Sequence, residues 1–192
     1  MKKFIITTIA LVGLIACNNN KNNFLITNNS IGVLQKNTPI QKLDSIFAKD
    51  SIVNSNVEGE LRYASSERIT IFSKEGKELL EITPTTNEKG VEVIESVLVL
   101  SPLYITEKGI SLESTFKDVK DKYSDLEIQP SISSVLVTPK GQNFYFTFDK
   151  TAIKTAFSLT DNISKDDIEE GAKIKHITHS LPPFSPVNSG LL

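Results

Sequence analysis

The strongest constraint on the fold is a strictly alternating stretch around residue 146. Three phenylalanines alternate there with less apolar residues: Phe144, Phe146 and Phe148 with Asn143, Tyr145 and Thr147. Successive side chains of a β-strand point to opposite faces, so this period predicts a strand over Asn143–Asp149 whose phenylalanines face a core. The turn-forming sequence Pro139–Gln142 precedes it and residues 132–138 supply a partner, which together predict a β-hairpin.

Several other stretches favour short strands because they are rich in β-branched and aromatic residues. In chain order, these predicted strands span residues 57–63, 68–72, 78–83, 91–100, 156–159 and 173–178. A turn at Lys74–Lys77, in which Gly76 can adopt a positive φ, joins the second and third strands into a hairpin. The small apolar island at residues 24–26 predicts a first edge strand. These short connections favour antiparallel meanders.

Capping signals predict a short helix early in the chain. Thr38 suits an N-cap, Pro39 suits the first helical position, and Gln41 stands where a capping box has Glu or Gln. Three apolar residues then share one helical face: Ile40, Leu43 and Phe47. We therefore expect a helix from Pro39 to about Ala48.

A second helix is predicted in the same way. Ser114 or Thr115 is its N-cap, and Asp118 completes a capping box with Thr115. Its apolar face repeats the spacing of the first helix: Phe116, Val119 and Tyr123. A third capping box, Ser164 with Asp167, predicts a one-turn helix near the end of the chain.

The second half of the sequence echoes the first. Leu103–Thr106 resembles Phe24–Thr27, and each is followed by a glycine and a capped helix. We therefore predict an α+β fold in which two related helix-plus-antiparallel-β-meander repeats, residues 24–101 and 102–180, share a sheet. The short Ser101-Pro102 junction favours one packed unit. Residues 181–192 are rich in proline and are expected to form a loose C-terminal tail, with a polyproline ligand as the alternative.

The start of the second predicted helix, Gly109–Val119, resembles two related groups of proteins. These are the SmpA/OmlA family of small outer-membrane assembly lipoproteins and the repeated module of β-lactamase inhibitor protein. Val33–Leu43 is a looser counterpart, and Glu113 replaces the glycine usual in the family. The resemblance implies an α+β module that binds proteins on its sheet face and carries no catalytic residues.

The N-terminus has the layout of a secretory signal. Met1-Lys2-Lys3 is positively charged, and Phe4–Ala16 is an uncharged, mostly apolar run. A transmembrane helix needs about 20 apolar residues, so the run is too short to span a bilayer. We predict a signal peptide over residues 1–16, followed by an Asn-rich, flexible tether over residues 17–23.

Leu14-Ile15-Ala16-Cys17 resembles the lipobox of bacterial lipoproteins. The resemblance implies cleavage before Cys17 and attachment of several acyl chains, such as palmitate, to that residue. Several chains hold a protein on a membrane stably, whereas one chain does so only marginally. Asn18 is not the aspartate that retains many such lipoproteins in the inner membrane, which favours the outer membrane and its periplasmic side. The alternative is an ordinary secretory signal followed by a chance cysteine.

Composition limits the class of partner and the means of stabilisation. Cys17 is the only cysteine, so no disulfide forms within the chain and the fold depends on its core. The net charge is −2, and loss of Lys2 and Lys3 makes the mature chain more acidic. The sequence has no basic block, so nucleic acid is not an expected partner.

The sequence offers little chemistry. His176 and His179 are the only histidines, and their spacing on a strand places them on opposite faces, so we predict no metal site and treat both as partly exposed polar residues. The sequence has no Gly-x-Ser-x-Gly elbow and no glycine-rich phosphate loop, and no cofactor is predicted. Two charged clusters are interpreted as solvated surface: Lys117, Asp118, Lys120, Asp121, Lys122 and Asp125, and Asp161, Asp166, Asp167, Glu169 and Glu170.

These features predict a lipid-anchored envelope module that contacts an envelope protein and is not an enzyme. The first alternative is a periplasmic or surface lipoprotein that binds a small molecule or glycan through exposed aromatics. The tyrosines to test for that role are Tyr63, Tyr104, Tyr123 and Tyr145. The second alternative is an envelope hydrolase, which needs a nucleophile beside His176 or His179.

Replacing the lipidated residue tests the anchor. We expect Cys17→Ala to release or mislocalise the protein, because the acyl chains that hold it on the membrane have no other attachment point. Membrane and soluble fractions are compared by immunoblotting, with the wild-type chain as the reference. Unchanged recovery of Cys17→Ala in the membrane fraction would contradict the prediction.

Overall fold

The computed structural model of the chain describes residues 23–57, 66–154, 158–159 and 162–181. The predicted signal peptide, Cys17 and most of the tether lie outside the described residues, as do residues 58–63 of one predicted strand and 156–157 of another. Leu181, the first residue of the predicted tail, is buried, and its N–H donates to the carbonyl of Glu95. Among the described residues, no helix is both long enough and apolar enough to cross a membrane.

The described residues form twelve strands and two short α-helices. In chain order they are β1 Leu25–Ile26, β2 Ser30–Ile31, β3 Leu34–Gln35, α1 Leu43–Ile46, β4 Ser51–Val57, β5 Ser66–Phe72, β6 Glu78–Thr86, β7 Glu92–Val99, β8 Ile105–Thr106, α2 Phe116–Lys122, β9 Leu126–Pro130, β10 Ser134–Pro139, β11 Phe144–Asp149 and β12 His176–Ser180. The chain is therefore mostly β-structure with few helices, and the coarse α+β description applies.

Eight of the strands form one antiparallel sheet in the order β4-β5-β6-β7-β12-β11-β10-β9. Two meanders, β4–β7 and β9–β12, meet at its centre, where Val99 lies opposite Ile177 and Val97 lies opposite His179. The other four strands form a small sheet in the order β3-β2-β1-β8, with β1 and β8 parallel. β1 is thus an inner strand of this small sheet, not the edge strand that was predicted.

The predicted alternation in β11 is confirmed. Phe144, Phe146 and Phe148 are buried in the core cluster, and β11 pairs with β10 on one side and β12 on the other. One row of side chains on the core face runs across five neighbouring strands: Leu80, Val99, Ile177, Phe146 and Val137. Buried residues from both halves of the chain belong to this one cluster.

The second helix begins as its capping box predicted. The Thr115 hydroxyl accepts a hydrogen bond from the Asp118 N–H, and the Asp118 carboxylate accepts one from the Thr115 N–H at 2.7 Å. Phe116 and Val119 are buried, and the ring of Phe116 meets that of Phe148 edge-on at 5.5 Å. The helix therefore packs directly on the core face of β11. The predicted one-turn helix is also present, as a 3-10 turn over Lys165–Asp167 capped by Ser164.

The first helix is shorter than predicted. A 3-10 turn over Ile40–Lys42 precedes α1, and the helix ends at Ile46 instead of near Ala48. The Thr38 hydroxyl accepts from the Gln35 N–H and donates to the Gln35 carbonyl, so it is not free to cap a helix. Pro39 instead forms an isolated bridge with Val93. The pairing of Pro39 with the distant Val93 thus replaces the predicted start of the helix.

Strand positions also differ at the sheet edges. β4 at Ser51–Val57 shares only Val57 with the strand predicted over residues 57–63, whose other residues lie outside the described part of the chain, and β9 was not predicted at all. Both are edge strands: the described side chains of β4 are mostly exposed, and β9 is a short alternation of half-buried Leu126, Ile128 and Pro130 with exposed Glu127 and Gln129. The last strand is β12 at His176–Ser180, shifted from the predicted 173–178.

Both helices and the small sheet lie on the same face of the eight-stranded sheet. Phe116 and Tyr123 of the α2 region contact the phenylalanines of β11, Leu43 of α1 belongs to the same cluster, and the small sheet reaches β12 through Thr27. The molecule thus has two layers. The opposite face of the large sheet has no element over it among the described residues.

The burial of β11 predicts a large loss of stability when a core ring is removed. Phe146→Ala should lower the free energy of unfolding by about 3–5 kcal/mol, because it deletes a fully buried ring and leaves a cavity. Tyr145→Ala, on the opposite face of the same strand, is the matched control and should cost clearly less. Chemical unfolding followed by circular dichroism measures both, and equal losses would contradict the assignment of faces.

Candidate functional site

A cavity of about 320 Å³ lies at the point where the described chain begins. Its lining residues come from five separate segments: Asn23, Phe24, Val33, Ile46, Phe47, Asp50, Ser73, Lys74, Glu75, Leu79, Leu103 and Tyr104. Most of the walls are apolar, and the charged groups are Asp50, Lys74 and Glu75. The volume falls near the lower end of the range for small-molecule sites, about 300–1,000 Å³.

One wall of the cavity is an aromatic pair held by the small sheet. Phe24 and Tyr104 meet edge-on with ring centroids 5.1 Å apart. Gly32, between β2 and β3, makes this packing possible, because a Cβ there would lie 2.2 Å from the Asn23 carbonyl oxygen and 3.2 Å from the Tyr104 ring. Its φ of +55° also favours glycine. The first segment of the fold therefore depends on Gly32 to close against β8.

The opposite side of the cavity is built by α1 and the turn between β5 and β6. Ile46 and Phe47 come from the end of the helix, and Leu79 lies at the start of β6. The turn is fixed by Ser73, whose N–H donates to the Lys77 carbonyl at 2.8 Å and whose hydroxyl accepts from the Glu75 N–H at 3.2 Å. This turn places Lys74 and Glu75 on the rim.

Charges of both signs lie around an apolar interior. The Ser73 hydroxyl and the neighbouring Lys74 and Lys77 hold the pKa of the Glu75 carboxyl below its usual value. Burial, with a smaller contribution from the Asp50 carboxylate, raises the pKa of Tyr104 well above its usual value, so the phenol stays protonated. The site therefore suits a ligand with an apolar body and a polar or charged end.

Two large apolar side chains at the cavity are exposed to solvent. Val33 is 44% exposed and Leu103 is 57% exposed. Ile105, two residues further on, is 43% exposed. These residues lie on the segments of the small sheet that flank the start of the described chain. Sequence reasoning did not find this patch, because no local pattern distinguishes an exposed Val or Leu from a buried one.

The predicted tyrosines are not brought together. Tyr104 lines the cavity, and Tyr63 lies outside the described residues. Tyr123 packs against Phe144 and Phe146, with the Lys108 ammonium 4.4 Å from its ring centre. Tyr145 lies on the uncovered face of the large sheet. Of the tyrosines that the structure describes, only Tyr104 therefore belongs to the candidate site.

The two histidines do lie on opposite faces of β12, but His179 was wrongly expected to be partly exposed. It is fully buried, and its Nε2 lies 2.8 Å from the Thr27 carbonyl oxygen. Since a carbonyl only accepts, Nε2 donates, and the buried Nδ1 has no hydrogen-bond partner among the described residues. Burial lowers the pKa of His179. It also lowers the pKa of His176, which is half-exposed. His179 thus joins the two layers as a neutral core residue.

Several charges in the two clusters form ion pairs or caps, and Asp161 lies outside the described residues. Lys117 binds Asp121 at 2.7 Å, and both side chains are more than half exposed. Lys120 forms an ion pair with Glu170, and Asp167 caps the turn at Ser164. The described residues contain no group of three or more side chains placed to hold a metal ion.

Comparison with known proteins bears on the fold. No protein-family model and no curated protein matches the chain. The chain is similar to a solved structure. This is the crystal structure of the uncharacterized protein yfeY from Escherichia coli, with a TM-score of 0.52 and 14% sequence identity, covering 80% of this chain and 97% of that chain. At that identity the likeness concerns the fold alone.

The environment of His179 predicts a pH-dependent stability. An unfolded histidine has a pKa of about 6.5 and the folded value is lower, so below about pH 6.5 the unfolded chain binds more protons and the free energy of unfolding falls. For one titrating group, the free energy of unfolding changes by at most about 1.4 kcal/mol per pH unit. We expect His179→Gln to reduce the slope of the free energy of unfolding between about pH 5 and 7, above the range where most carboxylates titrate.

His176→Gln is the matched control for that experiment. His176 is less buried, so its substitution should reduce the slope less than that of His179. Denaturant unfolding at several pH values, followed by circular dichroism, gives the slopes. An unchanged slope in His179→Gln would show that this histidine does not sense pH.

Proposed function

We propose that the protein is a non-catalytic, lipid-anchored module of the cell envelope that binds a protein partner. In this proposal Cys17 carries the acyl chains, the protein is held on the outer membrane, and the domain faces the periplasm. The observation that carries the proposal is the uncovered face of the eight-stranded sheet, taken together with the lipobox-like sequence. An anchored domain with a broad open sheet is suited to contact a neighbouring protein.

The open face has the mixed character of a protein-binding surface. One row of it runs across four strands from Glu81 through Leu98 and Thr178 to Tyr145, and all four side chains are half-buried. Its apolar and aromatic members sit near the centre of the sheet. At the periphery, Arg68 and Glu81 form an ion pair at 3.4 Å. Protein interfaces typically have such an apolar centre and a charged rim.

We also propose that the domain arose from two related repeats. In each half a short helix precedes four antiparallel strands, and the last strands of the two halves, β7 and β12, pair at the centre of the sheet. A second correspondence involves the residues before each helix: Pro39 bridges to Val93, and Thr115 bridges to Lys173. These parallels support the resemblance to SmpA/OmlA-type modules, which implies protein binding on the sheet.

The protein-binding proposal is tested by placing a charge at the centre of the open face. Leu98→Lys should remove an envelope protein that co-purifies with the membrane-extracted wild type, because a buried, unpaired ammonium opposes docking. Ile132→Lys is the control, since Ile132 is 78% exposed and lies between β9 and β10, outside the row described above. Chemical cross-linking before extraction, followed by mass spectrometry, compares the three proteins.

Two outcomes of this comparison are informative. Loss of the partner in Leu98→Lys but not in Ile132→Lys would support the open face as the contact surface. The same set of cross-linked proteins in all three samples would contradict it. Thermal unfolding of Leu98→Lys checks that the fold persists.

A second candidate function is supported by the cavity beside Asn23. A lipid-anchored protein that binds a small molecule needs an enclosed, mostly apolar site with a few polar groups, and this cavity has that composition. Its lining includes Leu79 at the start of β6 but none of the four residues of the row on the open face. Both functions are therefore possible in one molecule.

A further inference from the structure

The cavity combines an apolar interior with charged lining residues of both signs. Its interior is formed by aromatic and aliphatic side chains, including Phe24, Phe47 and Leu79. Its charged lining groups are one ammonium, from Lys74, and two carboxylates, from Asp50 and Glu75. A zwitterionic phospholipid such as phosphatidylethanolamine offers the complement: an acyl chain for the interior, a phosphate for the lysine and an ammonium for the carboxylates.

The position of the cavity in the chain places it next to the membrane, provided that Cys17 is the anchor. Asn23 lines the cavity, and Cys17 precedes it by six residues. At no more than about 3.6 Å per residue, a fully extended segment of that length reaches about 20 Å. The rim therefore lies within about 20 Å of Cys17. The headgroup region is several ångströms deep on each side of the bilayer, so this distance keeps the rim close to the lipid surface.

The exposed apolar side chains fit the same occupant. Val33 and Leu103 both line the cavity and are both substantially exposed in water. Contiguous exposed apolar surface beside a groove is a feature of ligand-binding and membrane-contact sites. A bound acyl chain would cover both side chains.

We propose that the cavity holds one acyl chain of a zwitterionic membrane phospholipid, with the headgroup bound by Lys74 and the carboxylates of Asp50 and Glu75. This proposal deepens the ligand-binding function above and rests on attachment through Cys17 for its source of lipid. The bound lipid fixes the orientation of the domain on the membrane, because the end of the fold that carries Asn23 then faces the bilayer.

The absence of tryptophan allows a direct test. The chain has no Trp, so Leu103→Trp introduces a single indole at the cavity. Leu159→Trp is the matched control, because Leu159 is also 57% exposed but does not line the cavity. The full chain, carrying Cys17→Ala so that it has no anchor of its own, is titrated with lysophosphatidylethanolamine whose acyl chain carries bromine atoms. Bromine quenches a neighbouring indole on contact.

We expect saturable quenching in Leu103→Trp and little in Leu159→Trp. Equal quenching at the two positions, or none at Leu103→Trp, would overturn the proposal. In the Leu103→Trp background, Lys74→Glu should weaken binding by a factor of about two to five, the size of an exposed charge contact. Lys89→Glu, in the exposed turn between β6 and β7 and not at the cavity, should leave the affinity unchanged. An effect of the same size from both lysines would overturn the headgroup assignment.

A separate measurement distinguishes failure of the cavity from failure of the anchor. The intact mass of the wild-type protein extracted from membranes reports whether Cys17 carries acyl chains. Acylated Cys17 without quenching at Leu103→Trp would overturn the lipid site and leave the anchor. Quenching with an unmodified Cys17 would support the lipid site and remove the proposed attachment to the membrane.

Discussion

The pairing of β7 with β12 is the contact on which the rest of the structure depends. These two strands are the last of their respective meanders, and they join at Val97–Val99 and Ile177–His179. Without this pairing, two four-stranded sheets would each expose an inner edge and half of the apolar row that runs through Val99 and Ile177. An exposed strand edge is a site of unspecific association. The central pair removes both edges and makes one core from two halves.

The same central pair explains the burial of a titratable residue. His179 lies opposite Val97 on one side and Phe144 on the other, so the chain has a polar ring in the middle of its core face. Its hydrogen bond to the Thr27 carbonyl links the small sheet to the centre of the large one, beside the hydrogen bonds between Asn28 and Asn143. A phenylalanine there would fill space but could not satisfy that carbonyl. The neutral imidazole both packs in the core and donates a hydrogen bond. Because burial lowers its pKa, the free energy of unfolding decreases at acidic pH.

The sequence predicted those features that local chemistry determines. The capping box at Thr115 and Asp118 and the alternating phenylalanines of β11 have their physical cause within a few neighbouring residues, and both are present. The failures concern residues whose role is set at long range. Pro39 resembled a first helical residue, but it forms a bridge with Val93. His179 resembled a surface residue, but β7 and β11 enclose it.

The cavity was beyond sequence reasoning for the same reason. Its walls come from five stretches, and no one of them has a motif. Gly32 comes closest to a local sequence signal for the cavity, because glycine is favoured where a tight turn requires a positive φ. Its second role, admitting the Asn23 carbonyl and the Tyr104 ring, depends on residues that only the folded chain brings together.

The two proposed binding surfaces lie on different sides of the large sheet. The position of Cys17 in the chain indicates which of them would face the membrane. Asn23 leads into β1, which belongs to the small sheet, and the small sheet covers the core face of the large one. The segment toward Cys17, the proposed anchor, therefore begins at the covered layer. The open face is on the other side of the large sheet. A lipid held at Tyr104 and Lys74 would thus leave the row from Glu81 to Tyr145 free for a protein, so that one anchored domain can bind the membrane and a partner at the same time.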